Sequence, residues 1–258
     1  MLLAVGSRTE ALEDVSSDVD ILAIYDTAPP DSVNPPSTLD MRSTTGTNWI
    51  KSSHGVEINV EAVSIATLTR ISDLLSLPVC SHRVPALQEL EVRLLNRVRT
   101  GTLITSSRVP ALVQDLETLR ESLHLWRLPI AVAVMNYWGA ASYLRLANER
   151  RDDPVNCQIA LTSAIEGITL CFLALHGQVL YGMKKAVYAL RRVDSAREPS
   201  YFGTDDLQAL LLGEKIEKRL RCAGDLLARI REEVASQDKE ESIWREVASG
   251  IENADDED

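Results

Sequence analysis

The feature that most constrains the fold is an abrupt change in hydrophobic pattern near residue 64. Before it, short apolar runs at Leu2 to Val5, Ile21 to Tyr25 and Val56 to Val63 have the length and the residue types of β-strands. After it, apolar residues recur at the helical spacing of three and four positions. Strands followed by helices are typical of the α+β class. We therefore expect a small mixed β-sheet domain followed by an all-helical bundle domain.

The helical pattern divides into segments. It predicts helices from Ser64 onward, over Pro85 to Val98, and at about 109–127, 129–149, 155–177, 183–193, 205–236 and 239–251. In the second of these, four leucines form one stripe, Glu89, Glu91 and Arg93 lie elsewhere on the helix, and Gly101 ends it. Residues 27–55 hold four prolines and many small polar residues, which indicates a long loop or a hairpin excursion.

These patterns predict three parts of the chain. A sheet domain covers residues 1–80, and a helical bundle domain covers residues 81–252. Residues 253–258 carry four acidic side chains and no large apolar one. We expect them to form a disordered acidic tail.

Charge and composition exclude several classes of protein. The chain has 27 basic and 38 acidic residues, a formal charge of -11, which opposes loose binding to DNA or to an anionic membrane. We find no uninterrupted apolar run of about 18 residues, as a membrane span requires. The opening Met1 to Val5 lacks the basic flank of a signal peptide. The four cysteines have no metal-ligand spacing, and we expect a cytoplasmic protein with reduced thiols.

The strongest chemical signal is a pair of aspartates at the beginning of the second strand. Because side chains alternate along a strand, Asp18 and Asp20 are expected on one face. Two carboxylates so close repel each other, and a bound cation offsets that repulsion. Mg²⁺ suits such a site, since it takes one or two carboxylates from the protein and completes its shell with water and phosphate oxygens. The pattern leaves open whether the site binds one Mg²⁺ ion or two.

Two further segments add to this site. Gly6 allows close approach of the backbone, and Ser7 with neighbouring amides can bind a phosphate. A third carboxylate is expected from the alternating strand, where Glu57, Asn59 and Glu61 share one face. We favour Glu57 as the base that deprotonates an acceptor hydroxyl, and Glu61 as a third metal ligand or a second-sphere group. The reverse assignment stays open.

The Gly6-Ser7 pair, the strand with Asp18 and Asp20, and the later acidic strand resemble the nucleotidyltransferase superfamily of DNA polymerase beta. The resemblance covers residues 1 to about 63. The helical remainder resembles the C-terminal bundle of small-molecule nucleotidyltransferases, the group that includes aminoglycoside adenylyltransferases. The resemblance implies transfer of a nucleoside monophosphate, AMP from ATP or the equivalent from another nucleoside triphosphate, to a hydroxyl of a small molecule. Pyrophosphate is released.

The resemblance also implies roles outside the sheet. A bundle lysine commonly reaches the triphosphate in that group, and Lys184 or Lys185 is the candidate here. The negative charge of the chain favours a cationic acceptor. Two alternative functions stay open. The first is the same chemistry on a protein or a tRNA, as in toxin and antitoxin enzymes.

The second alternative is a catalytically inactive nucleotidyltransferase-like binding module. Two departures from the family pattern keep it open. The segment from Arg8 to Asp14 stands where family members often have a glycine-rich stretch. The first strand begins at Met1, so either the sequence starts late or the helix that usually precedes this strand is absent.

Overall fold

The computed structural model describes residues 1–5, 19–26, 47–53, 56–76, 87–105, 109–196, 201–213 and 215–236. The strands are β1 (Leu2–Val5), β2 (Val19–Tyr25), β3 (Thr47–Ser53), β4 (Val56–Ser64) and β5 (Thr102–Thr105). They form one sheet in the order β3-β4-β2-β1-β5. Strands β2 and β4 are parallel, and the other neighbouring pairs are antiparallel, so the sheet is mixed.

The helices of the described residues follow the sheet strands or lie between them. They are α1 (Ile65–Asp73), α2 (Glu89–Thr100), α3 (Pro110–Glu121), α4 (Leu123–Glu149), α5 (Pro154–Leu175), α6 (Ala186–Ala196), α7 (Thr204–Leu212) and α8 (Ile216–Ser236). Short 3₁₀ turns occur at Leu74–Ser76 and Met183–Lys185. The expected α+β class, with a small mixed sheet followed by helices, is confirmed.

Two strands lie in segments that the sequence patterns did not assign to strands. β3 lies in the segment that was predicted to be a loop or a hairpin excursion, and it pairs with β4 as a hairpin. β5 was not predicted. It has only four residues, and it is an edge strand of the sheet that pairs with β1.

The chain divides into two compact units. The first contains Met1–Ser76 and Leu87–Leu128, and the second contains the chain from Pro129 onward. The first unit therefore extends beyond the residue 80 at which the sequence analysis placed its boundary, because β5 pairs with β1 and α2 and α3 contact α1. The boundary falls within α4, at Pro129, which lies inside the helix.

Helix α1 shows how the sheet is covered on one face. Ser64 is its N-cap, and the Ser64 Oγ accepts a hydrogen bond from the Thr67 backbone N–H at 3.1 Å. Ile65, Leu68 and Ile71 are buried. These positions recur at helical spacing, and α1 packs against β4 and against α2.

The second unit is built around α5, which is apolar on nearly all sides. Among the described residues, one helix, α5, is long enough and apolar enough to cross a membrane. Of its most apolar 18-residue window, 67% is buried inside the protein. Such a helix is weak evidence for a membrane span. Gly167 on α5 explains its close approach to α4, because a Cβ at this position would lie 2.9 Å from the Asn136 carbonyl oxygen and 3.0 Å from Ala140 Cβ.

The predicted helix over 205–236 is wrong in one respect, since it is broken into α7 and α8. Gly213 caps the end of α7. A Cβ there would lie 2.5 Å from the Ala209 carbonyl oxygen and 3.2 Å from Arg219 Cγ. Arg219 is buried, and its Nε donates to the Leu210 carbonyl at the end of α7. The glycine and the arginine together account for the break.

Candidate functional site

The acidic residues of β2 and β4 lie beside each other in the sheet. The two strands run parallel, with Asp20 opposite Asn59 and Leu22 opposite Glu61. Paired residues of parallel strands point to the same face, and alternate residues along a strand share a face. Asp20, Asn59 and Glu61 therefore lie on one face of the sheet, as the alternation in β4 predicted for its own residues.

The end of β1 meets the same place. Val5, its last residue, pairs with Asp20 near the beginning of β2. β1 runs antiparallel to β2, so the chain leaves β1 at the edge of the sheet where β2 and β4 begin. Gly6, Ser7 and Asp18 lie outside the described residues. The predicted phosphate-binding segment follows Val5 directly in the sequence.

Helix α2 brings two arginines to this face. Arg93 and Arg97 are four residues apart, so they project from the same side of the helix. The beginning of α2 is capped by Glu91, whose Oε2 accepts from the Gln88 backbone N–H at 3.0 Å. Its end is held by Arg120 of α3, which donates to the carbonyl oxygens of Val98 and Gly101. Burial lowers the pKa of Arg120. Both ends of the helix that carries the arginines are thus fixed.

Glu61 is the centre of a buried ionic cluster. The residue is 2% exposed. Arg93 Nη2 donates to its Oε1 at 2.9 Å, and Arg97 Nη1 donates to its Oε2. A buried carboxylate is tolerated only when it is paired and hydrogen-bonded. Here each oxygen has an arginine partner, so the fold itself requires this pair of cations.

Arg97 extends the cluster to Asp20. The second nitrogen of its guanidinium, Nη2, lies 3.5 Å from Asp20 Oδ1. The Asp20 side chain is 21% exposed and the Glu61 side chain 3%. Asp20 is therefore the carboxylate of the cluster with access to solvent, and Glu61 is the one whose oxygens are committed to arginines.

The remaining predicted site residues are placed as follows. The backbone of Glu57 lies in β4 opposite Ser52 of β3. Lys184 and Lys185 lie in the 3₁₀ turn Met183–Lys185 of the second unit, and Lys185 Nζ is 5.4 Å from the centre of the Tyr188 ring. The roles predicted for these three residues stay predictions.

The described residues contain no group of three or more histidine, cysteine, aspartate or glutamate side chains arranged to hold a metal. Asp18, one of the predicted ligands, is outside that part of the chain. The prediction of a metal site therefore rests on Asp20 and on the register of the strands. For Glu61, the geometry favours the second-sphere option over direct ligation.

Sequence reasoning missed the two arginines. Arg93 was assigned to the polar side of its helix, away from the apolar stripe, and Arg97 was not singled out. A signal was available, because a glutamate inside an apolar strand needs a cation, and two arginines at a spacing of four on a nearby helix can supply it. Single-sequence patterns do not say which helix packs on which strand.

No protein-family model matches this chain, and no curated protein matches it significantly. Among solved structures, the chain is similar to a nucleotidyltransferase-like protein from Exiguobacterium sibiricum 255-15. The two share 15% sequence identity, the alignment covers 99% of this chain and 83% of that chain, and the TM-score is 0.43. A similarity at this level carries no information about individual site residues.

Proposed function

We propose that the chain is a Mg²⁺-dependent nucleotidyltransferase that transfers AMP from ATP to a hydroxyl of a small molecule and releases pyrophosphate. The observation that carries the proposal is the convergence at one sheet edge. β1 ends beside Asp20, β2 begins there, and the acidic strand β4 runs parallel to β2 in the next position. This brings the end of the strand that leads into Gly6-Ser7 next to Asp20 of β2, with the acidic strand β4 on the other side of β2.

The residues fit a magnesium ion in part. Asp20 offers carboxylate oxygens, which Mg²⁺ prefers, and its side chain has access to solvent. The alternation of the sequence predicts the same face for Asp18, which lies outside the described residues. Asp20, together with Asp18, would hold the ion, which would supply positive charge to offset the negative charge that develops on the phosphates in the displacement. Glu61 is assigned to the second sphere, because its two oxygens accept hydrogen bonds from Arg93 and Arg97.

The other roles follow from the chemistry of the side chains. Ser7 binds a phosphate through its hydroxyl, and Gly6 lets the backbone approach it. Glu57 accepts the proton of the acceptor hydroxyl as the oxygen attacks the α-phosphorus, the bond to the β,γ-pyrophosphate breaks, and the pyrophosphate leaves. For Lys184 or Lys185, a contact with the triphosphate is what the resemblance to small-molecule nucleotidyltransferases implies. The formal charge of -11 favours a cationic acceptor.

A binding measurement tests this proposal. Calorimetry with Mg²⁺ and a non-hydrolysable ATP analogue compares the wild type with Asp20→Asn and with Asp115→Asn, which removes a charge from an exposed position on α3. We expect binding in the wild type and in Asp115→Asn, and a loss of at least about tenfold in Asp20→Asn. Equal binding by all three proteins would remove Asp20 from the site, and no binding by any would exclude the catalytic proposal.

A second candidate function is a nucleotide-binding module without catalysis. It is favoured by the commitment of Glu61 to two arginines, since this leaves fewer carboxylates for metals than a two-metal site uses. Release of pyrophosphate from ATP separates the two candidates. Release that depends on an acceptor and disappears in Asp20→Asn supports the enzyme. Nucleotide binding without release, over a broad panel of hydroxylated acceptors, supports the module.

A further inference from the structure

The exposed side of α6 and the turn before it carry a cluster of positive charge. Residues 181–193 contain no acidic side chain and four basic ones, which are Lys184, Lys185, Arg191 and Arg192. Lys184, Arg191 and Arg192 are exposed. Tyr188 lies between the two basic pairs in the sequence, and Lys185 Nζ is 5.4 Å from the centre of its ring. We call these five residues the basic face of α6.

The opposite side of α6 holds the helix in place. Ala186, Ala189 and Leu190 are fully buried, and α6 packs on α5. On the basic face, neither Lys184 nor Arg191 forms an ion pair with another described residue. Like charges that cluster on a surface repel each other, and an anion that binds among them relieves this repulsion. The basic face therefore favours an occupant that carries several negative charges.

The C-terminal segment of the chain has this chemistry. Residues 237–258 follow α8 and lie outside the described residues, and their sequence holds nine acidic and two basic side chains, a net charge of -7. The whole chain carries -11, so residues 1–236 carry only -4. Most of the net negative charge is thus concentrated in this one segment.

We propose that residues 237–258 bind the basic face of α6 within the same chain, with their acidic side chains against Lys184, Arg191 and Arg192. The binding does not depend on the proposed function. Apolar side chains add to the match of charge. Val187 and Tyr188 of α6 are each 37% exposed, and the segment contains Ile243, Trp244 and Val247.

The covalent connection favours this segment over a free partner. The last turn of α8 is tied to the chain that follows α6, because Glu233 accepts a hydrogen bond from Tyr201 Oη at 2.6 Å and Tyr201 comes nine residues after Arg192. The 22 residues beyond Ser236 can extend up to about 70 Å. A tether of this kind gives an effective concentration in the millimolar range.

Other polyanions have a disadvantage at this face. A free nucleic acid or an anionic membrane that approaches the chain is repelled by its net charge of -11. The tethered segment is the main source of that charge, and it needs no encounter from solution. Its binding to the basic face also separates its own like charges with cations.

Zero-length cross-linking of the full chain tests the proposal. A carbodiimide joins a carboxylate to a lysine amine only where the two groups touch, and peptide mass spectrometry of the monomeric product identifies the pair. At about 50 mM salt, we expect Lys184 or Lys185 to be linked to acidic residues of 237–258. The yield should fall at least about fivefold at about 0.5 M salt, because exposed charges are then screened.

Two charge-reversal variants locate the contact. Arg191→Glu/Arg192→Glu reverses the arginines of the basic face and keeps both lysines. Arg150→Glu/Arg151→Glu makes the same change of net charge at exposed positions between α4 and α5. We expect the first variant to lower the yield at least about fivefold and the second to stay within about twofold of the wild type. Equal yields in the two variants, or a Lys184 link that occurs only in covalent dimers, would overturn the proposal.

A further variant leaves every described residue unchanged. Asp255→Asn/Asp256→Asn/Glu257→Gln/Asp258→Asn removes four charges of the segment. Fluorescence anisotropy with a labelled hexa-aspartate peptide then measures access to the basic face. This variant should bind the peptide at least about fivefold more tightly than the wild type, because the competing segment is weakened. Addition of Arg191→Glu/Arg192→Glu should abolish the gain.

Two results of the anisotropy measurement would overturn the proposal. The first is equal binding of the peptide by the wild type and the neutralised variant. The second is binding of a short oligouridine by the wild type more tightly than the peptide, which would mean that the basic face is open to RNA. The cross-linking and the anisotropy use no nucleoside triphosphate, so their outcomes are separate from those that test the proposed function.

Discussion

Glu61 of β4 and Arg97 of α2 form an ion pair across 36 positions of sequence, in a place where the glutamate side chain is 3% exposed. The pair joins the sheet to a helix that packs on it. Since Arg97 also lies 3.5 Å from Asp20, the interaction that stabilises the first unit and the proposed site share one guanidinium.

This sharing predicts a large loss of stability in Glu61→Ala. The substitution leaves Arg93 and Arg97 without their common acceptor, and removal of one partner of a buried ion pair costs about 3–5 kcal/mol. Chemical denaturation followed by circular dichroism measures the free energy of unfolding. Glu117→Ala on the exposed side of α3 is the control and should change it by no more than about 0.5 kcal/mol. A loss in Glu61→Ala as small as in the control would contradict a buried, paired glutamate.

The contact of α4 with α5 predicts opposite effects for two glycines. In Gly167→Ala the new Cβ meets backbone and side-chain atoms of α4 at 2.9–3.1 Å, so we expect a loss of about 1–3 kcal/mol. In Gly139→Ala, within α4, no atom lies within 4 Å, and the higher helix propensity of alanine should add about 0.5–1 kcal/mol. Denaturant midpoints of both variants check this. The prediction is refuted if the denaturant midpoints of both variants shift in the same direction from that of the wild type.

The N-cap of α5 predicts a dependence of stability on pH. Asp153 accepts hydrogen bonds from the Asn156 side-chain amide at 2.5 Å and from its backbone N–H at 3.2 Å, and these lower the pKa of Asp153. A lowered pKa in the folded state means that the stabilisation is present above the ordinary aspartate pKa of about 3.9 and is lost as pH falls through the folded value. Unfolding curves recorded from pH 7 down to pH 3 measure how the free energy of unfolding depends on pH.

The control for this prediction is Asp153→Asn, which keeps a capping oxygen but does not titrate. The wild type should be more stable than this variant near neutral pH, and the difference should shrink as the solution is acidified below the ordinary aspartate pKa. A difference that stays constant over the whole range would rule out Asp153 as its source.

The buried thiols predict resistance to alkylation. Cys157 and Cys171 are free and buried, and burial raises the pKa of Cys171. The thiolate is the reactive form, so at pH 8 the native protein should leave both residues unmodified by iodoacetamide over a time in which the unfolded protein reacts fully. Peptide mass spectrometry reads out each site. Rapid native labelling of Cys171 would mean that α5 opens readily.

Much of the sheet was predictable because its strands are marked by local patterns. Three segments that were predicted as strands are strands in the structure. They are the apolar run from Leu2 to Val5, the apolar run that follows Asp20, and the alternating segment from Val56 to Val63. The helices were predictable from apolar spacing and from caps such as Ser64. The strand β5 was not, since Thr102–Thr105 is too short to show a period and is defined by its pairing with β1.

The acidic residues of the candidate site could be predicted from the sequence, but the ion pairs that they form could not. Strand alternation is a property of one segment, so it gave the shared face of Glu57, Asn59 and Glu61. The pairing of Glu61 with Arg93 and Arg97 depends on how α2 packs on the sheet. That packing arises from apolar contacts between distant segments, which a single sequence does not specify residue by residue.

The two neighbours of β1 have a consequence for synthesis on the ribosome. Leu3 pairs with Leu22 on one side and with Leu103 on the other. The growing chain can therefore cover one edge of β1 early, whereas the other edge waits until residue 103 has emerged. An uncovered strand edge is a template for pairing with another nascent chain, so the open edge of β1 carries a risk of aggregation until β5 docks.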